Sequence, residues 1–140
     1  MALVLDASIM LSWYFEDEGD EAEPLIMDLS ESRAVVPVHW VAEVANGVLV
    51  GERRGRSSPN QIAGLLALLD NCEIEVDGEG AGEAIVRILP LARAHRLTVY
   101  DAMYLELAER RGLPLATLDH ELARAARFAG LEVLGIGGRA

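Results

Sequence analysis

Short strand-like runs alternate with helical sequence along the whole chain, and that alternation leaves few folds open. Leu3-Val4-Leu5 is an apolar run that stops at Asp6. Ala34-Val35-Val36 is a second, ended by Pro37, and Glu73-Ile-Glu-Val76 alternates in strand fashion. Leu115-Ala-Thr-Leu118 and Leu131 to Ile136 complete the set. Helical stretches lie between them: Ala7 to about Tyr14, Glu23 to Ser32, His39 to Arg53, Asp77 to Ala94, Val99 to Gly112 and His120 to Ala129. One more runs to Leu69, with Ser57 or Ser58 as its cap and Pro59 suited to its first turn. Strands separated by helices close into a parallel sheet through right-handed crossovers. The expectation is an α/β fold: one domain over residues 1–140, with a central, mostly parallel sheet of four or five short strands flanked by helices.

Several broad classes drop out early. A hydrophobic fraction of 51% excludes general disorder. No apolar run approaches the roughly 18–20 residues of a membrane span, because Glu43 and Asn46 interrupt the longest candidate, Val35 to Val50. The N-terminus lacks a basic leader and carries Asp6 in its apolar stretch, so no signal peptide is expected. A single cysteine, Cys72, fits a core filler in a reduced, cytoplasmic setting. The net charge of −11 argues against a broad basic surface, and all twelve basic residues are arginine.

Four acids stand in unusual company. Asp6 and Asp119 each follow a strand, where helix capping is the ordinary use of an acid. Asp101 sits in VYDAMYLELAERRG, whose Tyr100, Met103, Tyr104, Leu107 and Ala108 recur at helical spacing and predict a core-facing side. Thr98 three residues earlier makes a capping pattern around it. Glu43, with Asn46 one turn on, interrupts a helix otherwise fit for burial, and an unpaired buried charge costs several kcal/mol. In an open parallel sheet, ligands bind beyond the carboxyl ends of the strands. Two unit charges about 5 Å apart repel by roughly 3 kcal/mol at an effective dielectric near 20. Four acids meeting there would therefore require a hard divalent cation such as Mg²⁺ or Mn²⁺. Periodicity alone does not show that they meet.

The pieces VLDAS, EVAN from Glu43 to Asn46, LTVYDAMYLELA and LATLDHELARAA stand in the order seen in the PIN-domain superfamily. The chain resembles the VapC-type toxins of type II toxin–antitoxin pairs within it, from Leu3 to about Val133. That resemblance implies that Asp6, Glu43, Asp101 and Asp119 gather around one or two Mg²⁺ or Mn²⁺ ions. Asp6 and Asp101 would be direct ligands, while Glu43 and Asp119 would act directly or through water. It also implies hydrolysis of single-stranded or loop RNA by metal-activated water, an antitoxin partner and a homodimer. Ser8, Asn46 and Thr117 match polar positions that would orient the acids or their waters. Gly47 stands where family members often carry alanine, a change expected to loosen its helix without touching the chemistry.

Arg53, Arg54 and Arg56 share one turn and are candidate RNA contacts; Arg93 with Arg96, Arg110 with Arg111, and Arg124 with Arg127 form other groups. Most of these arginines are expected to pair with surface acids. Glu16, Glu106 and Glu121 lie near the motifs and are expected to be exposed. A catalytically silent PIN-like module that binds RNA or an antitoxin is the principal alternative, and a metal-dependent DNA nuclease is another. A receiver domain or a haloacid-dehalogenase-type phosphatase would need a lysine near the site, and the chain has none.

Overall fold

The computed structural model describes residues 1–15, Ile26, Leu29 and residues 31–135. β1 (Ala2–Leu5) leads into α1 (Ala7–Tyr14), and β2 (Arg33–Val36) into α2 (Trp40–Arg53) and α3 (Pro59–Asp70). β3 (Glu73–Val76) precedes α4 (Ala81–His95) and α5 (Val99–Arg111). β4 (Leu115–Thr117), α6 (His120–Phe128) and β5 (Val133–Gly135) follow. The strands form one sheet in the order β3-β2-β1-β4-β5, and every pairing is parallel. The expected α/β architecture is therefore observed.

Local chemistry accounts for several boundaries. Ser58 and Gln61 form a reciprocal capping box at the start of α3, with Pro59 in the first turn. Thr98 accepts the Asp101 N–H at 3.2 Å and caps α5. Gly112, at φ 64°, ends that helix in a left-handed turn that a residue with a Cβ would resist. The three central strands β2, β1 and β4 bury both faces, as parallel strands do: Val4, Leu5, Ala34, Val35, Val36, Leu115 and Ala116 are wholly enclosed, whereas the edge strand β3 is open.

Three expectations need amendment. The helix expected from Asp77 starts only at Ala81, because Gly78 and Gly80 occupy the approach and the Asp77 carboxylate is drawn to Arg110 and Arg111. α2 is not a buried helix: it packs against α1 along one stripe, and Val41 is 57% exposed. Gly47 has a packing use that the expectation omitted: it lets α1 approach, since a Cβ there would fall 2.5 Å from the Leu11 side chain. Most of the helix expected over 23–32, the acidic patch over 16–21 and Ile136 lie outside the described residues. Within that helix Ile26 and Leu29 are buried, whereas Glu31 and Ser32 are not helical.

Candidate active site

Strand order reverses at β1: the chain runs outward through β2 and β3, then returns to place β4 on the other side. This topology opens a crevice beyond the carboxyl ends of β1 and β4. Asp6 is the first residue past β1, and Thr117 is the last residue of β4 with Asp119 two further on. α2 brings Glu43 from its first turn, and α5 brings Asp101 from its own first turn.

Asp6 does not cap α1, the ordinary use of an acid at that place. It is 5% exposed, and its Oδ2 accepts two hydroxyl hydrogen bonds, from Ser8 and Thr117, each at 2.7 Å. The same hydroxyls take part in a wider lattice. Ser8 Oγ accepts the Leu118 N–H at 3.0 Å, and Thr117 Oγ1 accepts the Asp119 N–H at 3.0 Å. The end of β1 is thereby tied to the turn after β4. Asp119 does cap its helix, its Oδ1 accepting the Leu122 N–H at 3.0 Å.

The acids lie within electrostatic reach of one another. Burial pushes the Asp6 carboxyl above the usual carboxylate range. The Thr117 and Ser8 hydrogen bonds oppose that shift, and the charges of Glu43 and Asp119 add to it. Asp101 is pushed up to about 6, first by burial and then by Asp119, Asp6 and Glu43. All four predicted acids thus share one field. Among the described residues, no three His, Cys, Asp or Glu side chains are gathered tightly enough to enclose a metal ion directly.

The donor set nevertheless suits a hard cation. Among the described residues, Asp6, Glu43 and Asp119 each commit one carboxylate oxygen to hydrogen bonds with the protein, and no hydrogen bond reaches the other. Mg²⁺ keeps several waters in its shell, so acids too far apart to enclose it directly would hold it partly through water.

Two participants escaped the reading of the sequence. Tyr104, fully buried, donates its phenolic O–H to Glu43 Oε1 at 2.6 Å and accepts the Ala7 N–H at 3.3 Å. Burial, with Asp6 and Glu43 nearby, raises the phenol far above its usual range, so it remains a donor. His39 Nε2 stands 3.3 Å from the same Glu43 oxygen, and its ring meets Tyr104 edge to face at 5.1 Å. Burial holds the imidazole below its usual range against the pull of Glu43. Tyr104 reads in sequence as an ordinary core aromatic; its spacing of three from Asp101 was the available clue. Tyr100, expected on the core side, is 62% exposed because the first turn of α5 reaches past the packed interior, where it meets His39 at 5.6 Å.

Other predicted residues stand apart. Asn46 is exposed on α2 and hydrogen-bonds none of the acids. Arg53, Arg54 and Arg56 are exposed at the far end of α2, about 15 Å along the helix from Glu43. Arg56 lies over the Phe15 ring at 4.6 Å. Glu121 is exposed as expected and pairs with Arg124 at 2.6 Å, whereas Glu16 lies outside the described residues. Glu106 is a correction: it is 6% exposed, because Arg110, one turn along α5, and Arg87 of α4 reach over its carboxylate. Arg110 and Arg111 both bind Asp77, whose carboxyl is held below the usual range first by Arg110. These arginines clamp α5 to the segment after β3 and do not form a basic patch.

Known proteins share this sequence and fold. The PIN domain family model matches residues 3–128. Ribonuclease VapC3 of Pyrobaculum aerophilum is 32% identical over 124 residues, covering 88% of this chain and 93% of that protein. The crystal structure of PAE2754 from Pyrobaculum aerophilum superposes with TM-score 0.67 at 23% identity, covering 95% of this chain and 92% of that one. FitAcB from Neisseria gonorrhoeae gives TM-score 0.64 at 18% identity, with 96% of each chain covered. A toxin–antitoxin complex from Klebsiella pneumoniae gives 0.56 at 16% identity, covering 84% of this chain and 86% of that one.

Proposed function

The chain belongs to the PIN domain family, and on that premise we propose that it is the ribonuclease toxin of a toxin–antitoxin pair, working in the cytoplasm. It hydrolyses phosphodiester bonds in single-stranded or loop RNA with Mg²⁺ or Mn²⁺ at the crevice beyond β1 and β4. The observation that carries this reading is the placement of Asp6, Glu43, Asp101 and Asp119 in one field that raises the carboxyls of Asp6 and Asp101. A site that destabilises its own negative charge is suited to a cation.

One or two bound ions would supply an activated water and neutralise charge on the phosphodiester. Asp6 and Asp101 would hold the ion directly, with Glu43 and Asp119 acting directly or through water. Ser8 and Thr117 hold Asp6 in one rotamer, so its uncommitted oxygen keeps one direction. The acids repel RNA phosphates until the cation arrives, which makes substrate binding depend on the ion. Arg53 and Arg54 extend the RNA path along α2.

An antitoxin and a second copy of the chain are the proposed protein partners. The uncovered apolar side chains Val38, Val41 and Leu49 on and before α2 support a surface that a partner covers.

The test offers mixed RNA to purified protein in Mg²⁺, Mn²⁺ or chelator, beside Asp6→Asn and Asp101→Asn. Cleavage is expected only with a divalent cation and is lost in both variants. Cleavage unchanged in chelator, or in both variants, overturns the mechanism. RNA binding without cleavage under every condition would identify a silent binding module instead.

A further inference from the structure

Glu43 is the one predicted acid that arrives on a largely exposed helix, and its side chain is 35% exposed. Among the described residues, no side chain within α2 hydrogen-bonds it, and at the helix's start only His39 approaches, at 3.3 Å. Asp6 and Asp101 repel it, and a glutamate has enough rotatable bonds to turn outward into water. It stays because Tyr104 holds it, through a 2.6 Å hydrogen bond to Oε1. That length is typical of an O–H donating to a charged carboxylate.

The phenol is itself immobile. Its ring is fully enclosed, and its oxygen accepts the N–H of Ala7, the residue after Asp6. The path from Glu43 to Tyr104 to Ala7 therefore references a carboxylate on α2 to the end of β1. His39 Nε2, 3.3 Å away, crowds the same oxygen and leaves Oε2 as the atom that can face a ligand.

We propose that Tyr104 is a positioning residue that holds Glu43 in the crevice through Oε1, so that Glu43 offers the cation a single, pre-aimed oxygen, Oε2. The inference rests on the metal-dependent reading above. It gives α5 a double part, with Asp101 in the field and Tyr104 governing the acid opposite.

The experiment is calorimetric titration of the full chain with Mn²⁺, comparing wild type with Tyr104→Phe, Glu43→Gln and the double variant. Removing the hydroxyl keeps the aromatic volume, and a lost outer partner of a metal ligand typically costs about 10–100-fold in affinity. Tyr104→Phe is expected to weaken Mn²⁺ within that range, and to add little once Glu43 is already Gln. Wild type that binds Mn²⁺ no better than Asp6→Asn overturns the metal reading and this inference with it. Wild type that binds while Tyr104→Phe binds equally well overturns this inference alone. Additive losses in the double variant also overturn it, because independent effects do not pass through Glu43.

Should Tyr104→Phe fail to fold, wild type labelled with 3-fluorotyrosine keeps the question decidable. Tyr14, Tyr100 and Tyr104 are its only tyrosines, and Tyr14→Phe and Tyr100→Phe assign the signals. The Tyr104 fluorine resonance is expected to shift on Mg²⁺ addition and to saturate with binding; a resonance that does not move overturns the inference.

Discussion

Asp101 shows how one carboxylate can be ordinary and unusual at once. Its N–H is capped by Thr98, which fixes the first turn of α5, while its side chain is pushed up to about 6 by burial and three other acids. In the unfolded chain the same group titrates near the ordinary aspartate value of 3.8. Between those values the folded, metal-free protein holds the proton more tightly than the unfolded chain does. Stability therefore falls as pH rises through that window, and the loss persists above it. Asp101→Asn cannot ionise and escapes this loss. In chelator it is expected to melt several degrees above wild type at neutral pH, with the gain shrinking to nothing as pH falls toward 3.8. Differential scanning calorimetry across that range checks the point. A variant less stable than wild type at neutral pH would show that Asp101 makes a favourable contact outweighing the repulsion.

At the scale of the element, the approach of α1 to α2 decides where Glu43 sits, and two glycines set that approach. A Cβ at Gly51 would stand 2.4 Å from Phe15 Cζ and 2.9 Å from Ser57 Oγ. The Phe15 ring is confined by Tyr14, edge-on at 4.9 Å, and by the Arg56 guanidinium. Overpacking of this kind costs about 1–3 kcal/mol, against a helix-propensity gain of roughly 1 kcal/mol from Gly to Ala. Gly51→Ala is expected to lower the urea midpoint with little change in the slope. At Gly47 the obstacle is the end of the flexible Leu11 side chain, so Gly47→Ala is expected to cost less. The chain's elements were readable because caps and periodicity are local: Ser58 with Gln61, Thr98, and Gly112 mark their own helices. Asp6 and Asp119 were readable for the same reason, each following a strand. What local pattern cannot carry is a partner from elsewhere. Glu106 reads as exposed until Arg87 arrives from α4, and Tyr104 reads as core until Glu43 arrives from α2. α2 reads as buried because its composition is apolar, although among the described residues it packs mainly along one stripe, against α1.

Across the whole molecule, a net charge of −11 and a crevice of acids oppose compact folding in the absence of cations. A ligand that binds only the folded state stabilises it by about 2.7 kcal/mol at a hundredfold its dissociation constant. Mg²⁺ or Mn²⁺ is therefore expected to raise the melting temperature by more than sodium chloride of equal ionic strength, and chelator is expected to reverse the rise. A rise matched by sodium would assign the effect to screening alone.

The sheet order also has a consequence in time. β1 precedes the other four described strands in the chain, yet it lies at the centre of the sheet, and one of its neighbours is β4. Asp6 takes a hydroxyl from Thr117, 111 residues later. At about 5–20 residues per second, a ribosome needs roughly 6–22 seconds to make the intervening chain. Throughout that interval the nascent protein has Asp6 and the Ser8 hydroxyl, but neither the Thr117 hydroxyl that completes their arrangement nor the cap of α6. For an enzyme proposed to cut RNA, the connectivity acts as a delay: the Asp6 corner of the site is incomplete until β4 and the turn after it have been made.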